Sequence, residues 1–476
     1  MNKQHLEAEV GVKGFLILVI FASSSISEVQ KGFGIVTCNE RQAIRLPVFV
    51  ITTNIPQNRN LALFFPKGEL HLQVLSHYNS CIELHLGRRA RMLKVAIIGT
   101  GAISNAHIEG YMQFKDRCKI VALCDMYPEK AESRRQKYGL DAKVVNDYKG
   151  LLQDGIDLVS ICLPPYIHAP VTVDFLDSGI HVIVEKPMAS SLKECDDMIE
   201  ASRKSGKVLS VIAQNRFRNP IMKLKNVLDS GLAGKILHAQ VDSFWWRGHC
   251  YYDLWWRGTW EKEGGGPTLN HAVHHIDGLL WMLGRPSQVQ AYISNVAHDN
   301  AEVEDLSIAM LRYPDGSLGQ ITSSVVHHGE EQQYVFQGQH ARISAPWRIF
   351  ASTSLPNGFP ERNRTLEEVI QRHYEQLPDL PYEGHTGQID NVLTAIETGS
   401  PVLIDGESGR STLEMIMSIY KSASTGQNVQ LPLAKDDPFY TQEGLKQSVP
   451  YFYKKSNHVE NFSDMKITTG SGFVQK

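Results

Sequence analysis

Residues 94–111 read KVAIIGTGAISNAHIEGY, and how this stretch is read decides the fold. Lys94–Ile98 is an unbroken apolar run of strand length, and Gly99-Thr100-Gly101-Ala102-Ile103-Ser104 follows at once, before a helical pattern that continues through Phe114. A strand feeding a glycine turn that opens a helix aims free backbone N–H groups and the positive helix end at one point, where a pyrophosphate fits. Ser104 stands where the third glycine of GxGxxG would be and is small enough to keep the helix close to the strand. Gly99, Gly101, Ala102 and Ile103 are therefore the first candidate cofactor residues.

Working outward, Lys119–Cys124 (KIVALC) is the next strand, and Asp125 at its end follows Gly101 by 24 positions. A carboxylate there suits the ribose hydroxyls of NAD and repels a 2′-phosphate, so NAD is expected, with NADP the alternative. Ile156–Leu163 (IDLVSICL) ends at Pro164-Pro165, a helix is expected over Ala169–Ser178, and Ile180–Val184 (IHVIV) ends at Glu185-Lys186-Pro187. Strands alternating with helices predict an α/β, doubly wound parallel sheet of Rossmann type, with ligands at the carboxyl ends of its strands. Asp125, Pro164, Glu185 and Lys186 all lie at such ends.

Composition sets the outer bounds. A chain of 476 residues predicts two or three domains. With 48 Lys and Arg against 51 Asp and Glu, no basic tract argues for a nucleic-acid partner. Seven scattered cysteines without a CxxC pair fit reduced thiols in a cytoplasm. The longest apolar run, Phe15–Ala22, is far short of the roughly 20 residues a bilayer needs, so no membrane partner is expected. Lys13 before the run gives it some signal-peptide character, which Glu7 and Glu9 oppose. Residues 1–91 lack a convincing period and are read as a leader ahead of a start at Met92.

The second informative stretch is GGGPTLNHAVHHIDGLLWMLG at 264–284, which crowds His271, His274 and His275 into what reads as one helix. Histidines at i, i+4, such as His271 and His275, can ligate zinc. No HExxH glutamate or cysteine pair accompanies them, and no metal is expected. Beyond Gln214, segments 235–244, 288–296, 306–313 and 317–326 run apolar or alternate at strand length, with Pro314-Asp315-Gly316 as a turn.

Taken together, VAIIGTGAISNAHIEGY, the Asp125 strand end, PPYIH, EKP and GGGPTLNHAVHHID resemble the Gfo/Idh/MocA oxidoreductases, the family of glucose-fructose oxidoreductase and inositol 2-dehydrogenase, from about Lys94 to about Pro432. The resemblance implies a Rossmann domain over 92–215, a C-terminal α/β domain with a large, mainly antiparallel open sheet over 216–440, and a tail over 441–476. It implies a homo-oligomer, dimer or tetramer. In this family the EKP lysine and a histidine after the glycine run flank the substrate hydroxyl, commonly with an aspartate one turn before the histidine. Lys186 and His274 match the first two, and Asn270 stands on the aspartate position, where an amide would orient the ring but not charge it.

The same resemblance sets His168, Glu185 and Arg216 beside the cofactor, and Arg257, Trp260 and His385 beside the substrate. Five of the seven tryptophans lie between 245 and 260. About half are expected in the core, the rest offering flat faces to a sugar ring whose hydroxyls Arg247, Asp253 and Arg257 would bond. The expected activity is hydride transfer between a nicotinamide and a secondary hydroxyl of a sugar, cyclitol or glycoside. The alternatives are an NADP-linked reductase or dihydrodiol-type relative, and a cofactor-binding regulatory protein without turnover.

Overall fold

The computed structural model describes residues 91–456 and 458–460 and, within 1–90, only the backbone of three antiparallel two-stranded hairpins, such as Glu7–Gly11 with Phe15–Val19. The leader and signal-peptide readings therefore lie outside the described residues. Among those residues no helix is long and apolar enough to cross a membrane.

Residues 93–211 build a six-stranded, all-parallel sheet from β1 (Leu93–Ile98), β2 (Cys118–Cys124), β3 (Lys143–Val145), β4 (Leu158–Ile161), β5 (His181–Val184) and β6 (Leu209–Val211). Their order is β6-β5-β4-β1-β2-β3, so the chain reverses direction between β1 and β4. Val95, Ile97 and Ile98 are buried, as a strand covered on both faces requires. The helices that cover the sheet begin and end on local signals. α1 (Ser104–Tyr111) opens on the glycine turn, α2 (Pro128–Tyr138) stops at Gly139 in the left-handed region, and α3 spans His168–Asp177. α4 (Leu192–Ser205) starts on a capping box, with Ser191 Oγ accepting from Glu194 N–H and Glu194 returning a bond to Ser190 N–H.

A nine-stranded sheet follows, built from β7 (Ile236–Phe244), β8 (Gln288–Ser294), β9 (Leu306–Arg312), β10 (Leu318–Ser324), β11 (Gln332–Gly338), β12 (Ala341–Ala345), β13 (Arg348–Ser354), β14 (Pro360–Arg362) and β15 (Val429–Gln430). Only the β7·β10 pair is parallel, which matches the mainly antiparallel expectation. Late helices tie the two sheets together. Ile389, Val392 and Leu393, on a helix over Gly384–Thr398, join the core under Val95, Ile97 and Ile108. Each such buried aliphatic side chain contributes about 1.5–3 kcal/mol.

The stretch 264–284 departs from a single helix. It forms a short turn, Pro267–Asn270, and a separate helix, Val273–Leu283, with the break at His271-Ala272. The break sends neighbouring side chains in directions that one continuous helix would not.

Candidate active site

The glycine turn has the shape a dinucleotide needs. Gly99 has φ +90°, and a Cβ there would sit 2.6 Å from the Cys162 carbonyl oxygen, so only glycine lets β1 pass β4. Nothing lies within 4 Å of where a Gly101 Cβ would be, which leaves open space in front of the first turn of α1, and no side chain caps that turn. Ala102 and Ile103 border the same opening. The Asp125 carboxylate is oriented by Thr100, accepting from its N–H and its hydroxyl at 2.8 Å each, and by Tyr127 N–H at 3.0 Å. Pro164 follows β4 in extended conformation beside this end of the sheet. These residues fit NAD.

At the end of β5, Glu185 is buried between two histidines: His107 Nε2 lies 3.0 Å and His385 Nε2 3.3 Å from its Oε1. A chain of bonds backs His107, since Ser160 Oγ meets its Nδ1 at 3.1 Å and Tyr111 OH at 2.8 Å. Burial alone would raise the Glu185 carboxyl. The histidine hydrogen bonds and charge outweigh it and hold the group well below its usual range. His107 was missed in the sequence because its partner is 78 residues away. Glu185 Oε1 thus serves both histidines, and its Oε2 accepts from the Lys186 N–H at 3.2 Å. Glu185 and the two histidines have metal-ligand spacing among the described residues, yet hydrogen bonds already account for every close approach. The rings of His271 and His275 turn to different neighbours, His271 to Trp245 and Tyr251 and His275 to Tyr334.

Lys186 reaches across to the second domain. Its Nζ donates to the backbone oxygen of Asn270 at 3.1 Å, and Lys186 and His274 both line a small, mostly apolar internal cavity of about water size with Met188, Val273 and Ile416. Burial and the nearby Lys186 charge hold the His274 imidazole well below its ordinary value. Burial also lowers Lys186, with Glu185 pulling the other way. The Asn270 amide Nδ2 donates to Gly265 O at 3.1 Å and makes no bond to His274 among the described residues. The partner His274 does have is Gln214, 3.4 Å from its Nε2 and absent from the sequence expectations.

Glu304 fixes the glycine run that carries these groups. Its carboxylate accepts from Gly266 N–H, Thr268 N–H and Tyr420 OH at 3.0–3.2 Å, and burial pushes it up to about 7. A Cβ at Gly266 would land on the Glu304 carbonyl oxygen.

In the aromatic segment, Arg257 is held among aromatic rings and a carboxylate. Its guanidinium lies 4.3 Å from the ring centroids of both Tyr251 and Trp256, and Nη1 bonds Glu263 at 3.1 Å. Trp260 does not line the site. It is 0% exposed, packs edge-on against Tyr420, and its indole N–H is taken by the carbonyls of Glu302 and Pro450. Arg247 pairs with Glu330 and Asp253 accepts from Asn300, so neither side chain is free in the way the sequence suggested.

Two cofactor expectations are corrected. His168 is fully buried, with both ring nitrogens on backbone carbonyls, Pro187 O at 2.9 Å and Leu163 O at 2.7 Å, so it holds two strand ends together. Arg216 grips the Asp277 carboxylate with Nε at 2.8 Å and Nη2 at 2.7 Å and is 5% exposed, so it locks the Val273–Leu283 helix to the turn Gln214–Phe217.

A reversing parallel sheet with an open glycine turn and an acidic strand end is the architecture of a dinucleotide-binding domain. The chain belongs to the GFO/IDH/MocA family. Residues 93–213 match the model described as "Oxidoreductase family, NAD-binding Rossmann fold" and residues 221–344 the family's C-terminal domain. Among curated proteins it is similar to D-glucoside 3-dehydrogenase of Escherichia coli K12, 27% identical over 71% of this chain and 97% of the relative. It is also similar to myo-inositol 2-dehydrogenase of Thermotoga maritima, 23% identical over 71% and 98%. Among solved structures, the WlbA dehydrogenase of Bordetella pertussis in complex with NADH and UDP-GlcNAcA is 27% identical with TM-score 0.64, covering 73% of this chain and 100% of that one.

Proposed function

We propose that this oxidoreductase transfers hydride between NAD and a secondary hydroxyl of a sugar, cyclitol or glycoside ring, with Lys186 and His274 acting on the hydroxyl proton. The observation that carries the reading is that Lys186, just past the end of β5, reaches the backbone oxygen of Asn270 on the segment that leads into the helix of His274, so each domain brings one ionisable group to the carboxyl end of the first sheet. His274, neutral at working pH because burial and Lys186 oppose its second proton, takes the hydroxyl proton. The Lys186 ammonium polarises the same oxygen and stabilises the negative charge that develops there. NAD, when bound, supplies the hydride acceptor. Arg257, between two aromatic rings, is assigned to the ring hydroxyls away from the reacting carbon. The names of the relatives, a glucoside and an inositol dehydrogenase, agree with a ring substrate. NADH formation from NAD with a panel of glycosides, inositols, free sugars and nucleotide sugars tests it, and the absence of turnover with all of them would reject it.

The exposed face of the nine-stranded sheet is read as a homo-oligomer interface. Tyr292 pairs with Ile308 across β8·β9, and Met310, Leu318 and Phe350 share that face, all at least 49% exposed. We read the protein as cytoplasmic, since the five cysteines of the described residues are free thiols.

A further inference from the structure

The two ring nitrogens of His274 have different surroundings. Nε2 lies 3.4 Å from the side-chain amide nitrogen of Gln214. Nδ1 is buried with no hydrogen-bond partner among the described residues. Gln214 stands in the turn Gln214–Phe217 just beyond β6, at the carboxyl end of the first sheet. An amide N–H can only donate, so the imidazole nitrogen facing it must offer its lone pair. In the neutral ring this puts the proton on Nδ1 and makes Nε2 the basic nitrogen.

We propose that Gln214 is the positioning residue of the general base: it holds His274 in the Nδ1–H tautomer and yields Nε2 to the substrate hydroxyl. The proposal rests on the role assigned to His274 above and deepens it. At 3.4 Å the contact is at the long edge of hydrogen bonding, so a substrate O–H replaces it at little cost. Gln214 Oε1 is buried and also lacks a partner among the described residues, so an acceptor waits beside the same nitrogen. A ring carrying a second hydroxyl next to the reacting one satisfies both: one hydroxyl gives its proton to Nε2 and its neighbour donates to Oε1. A vicinal diol on the ring is thus the preferred substrate element. The Asn270 amide does not take this role, because it is turned to Gly265.

Nitrogen-15 NMR of the histidine rings in the full-length protein, without NAD or sugar, tests the tautomer directly. The His274 signals are identified by their loss in His274→Ala. At neutral pH the expected ring carries its proton on Nδ1. Gln214→Glu accepts and so moves the proton to Nε2, while Gln214→Leu cannot donate and so shifts the tautomer away from Nδ1–H. Gln214→Glu keeps the side-chain shape should the leucine variant fail to fold. A wild-type ring protonated on Nε2, or a tautomer that neither variant moves, overturns the proposal. The readout involves no substrate, so its failure is distinct from failure of the sugar dehydrogenase reading. Kinetically, Gln214→Leu is expected to lower kcat by about 10–100-fold while leaving NAD binding intact.

Discussion

The Lys186 ammonium donates to the main-chain oxygen of Asn270, not to its side chain, at 3.1 Å. The lysine is therefore placed by the backbone at the helix break, whatever residue stands at 270. Asn270→Ala removes only the Nδ2 bond to Gly265 O. The expected result is a stability loss of about 1 kcal/mol and a fall in kcat/KM of less than about tenfold. A loss as large as that of His274→Ala would restore Asn270 to the relay.

Asp125 is expected to choose the cofactor. With its carboxylate fixed by Thr100 and Tyr127, it stands ready for two ribose hydroxyls and repels a 2′-phosphate. Asp125→Ala should weaken NAD by about tenfold or more and narrow its advantage over NADP, both read by titrating NADH and NADPH fluorescence. An unchanged ratio would remove the carboxylate from cofactor selection.

Arg216 and Asp277 form a buried, bidentate pair that ties the turn Gln214–Phe217 to the Val273–Leu283 helix. Removing either partner strands a buried charge and should cost about 3–5 kcal/mol in a denaturant titration. The corrected role further predicts that Arg216→Ala, where it folds, binds NAD as wild type does. A selective loss of NAD affinity without loss of stability would return Arg216 to the cofactor site.

Stability should fall on the acid side. His275, buried, is held down to about 4, chiefly by burial, and His181, whose Nδ1 accepts from Val208 N–H, is also held down to about 4 by burial and Lys207. Below an unfolded pKa near 6.5 the unfolded chain binds protons that the folded one refuses. The stabilisation is therefore complete above about 6.5 and is lost as pH falls toward about 4, by on the order of 3 kcal/mol for His275. Denaturant midpoints measured across that window check the sign, and a midpoint that rises with acid would contradict it.

What the sequence made legible was what adjacent residues decide. The strand, Gly99 turn and α1 could be read because one close approach, Gly99 against Cys162, demands glycine and a buried parallel strand demands an apolar run. Lys186 and His274 were legible through motifs. What stayed hidden depends on distant partners or on one backbone break. The Glu185–His385 contact spans 200 residues, Trp260 disappears under Tyr420 and Pro450, the helix is interrupted at His271-Ala272, and Gln214 meets His274 across 60 residues. Periodicity alone gave no sign of that interruption, since the apolar pattern runs straight through it.

The most direct test of the central claim is the rate of NADH formation by wild type, Lys186→Met and His274→Ala with the best ring substrate, alongside NAD affinity. The account predicts that each substitution lowers kcat by about 10²–10⁴-fold and leaves NAD affinity within a few fold. Rates within a few fold of wild type for both variants would show that neither group handles the hydroxyl proton and would contradict the account.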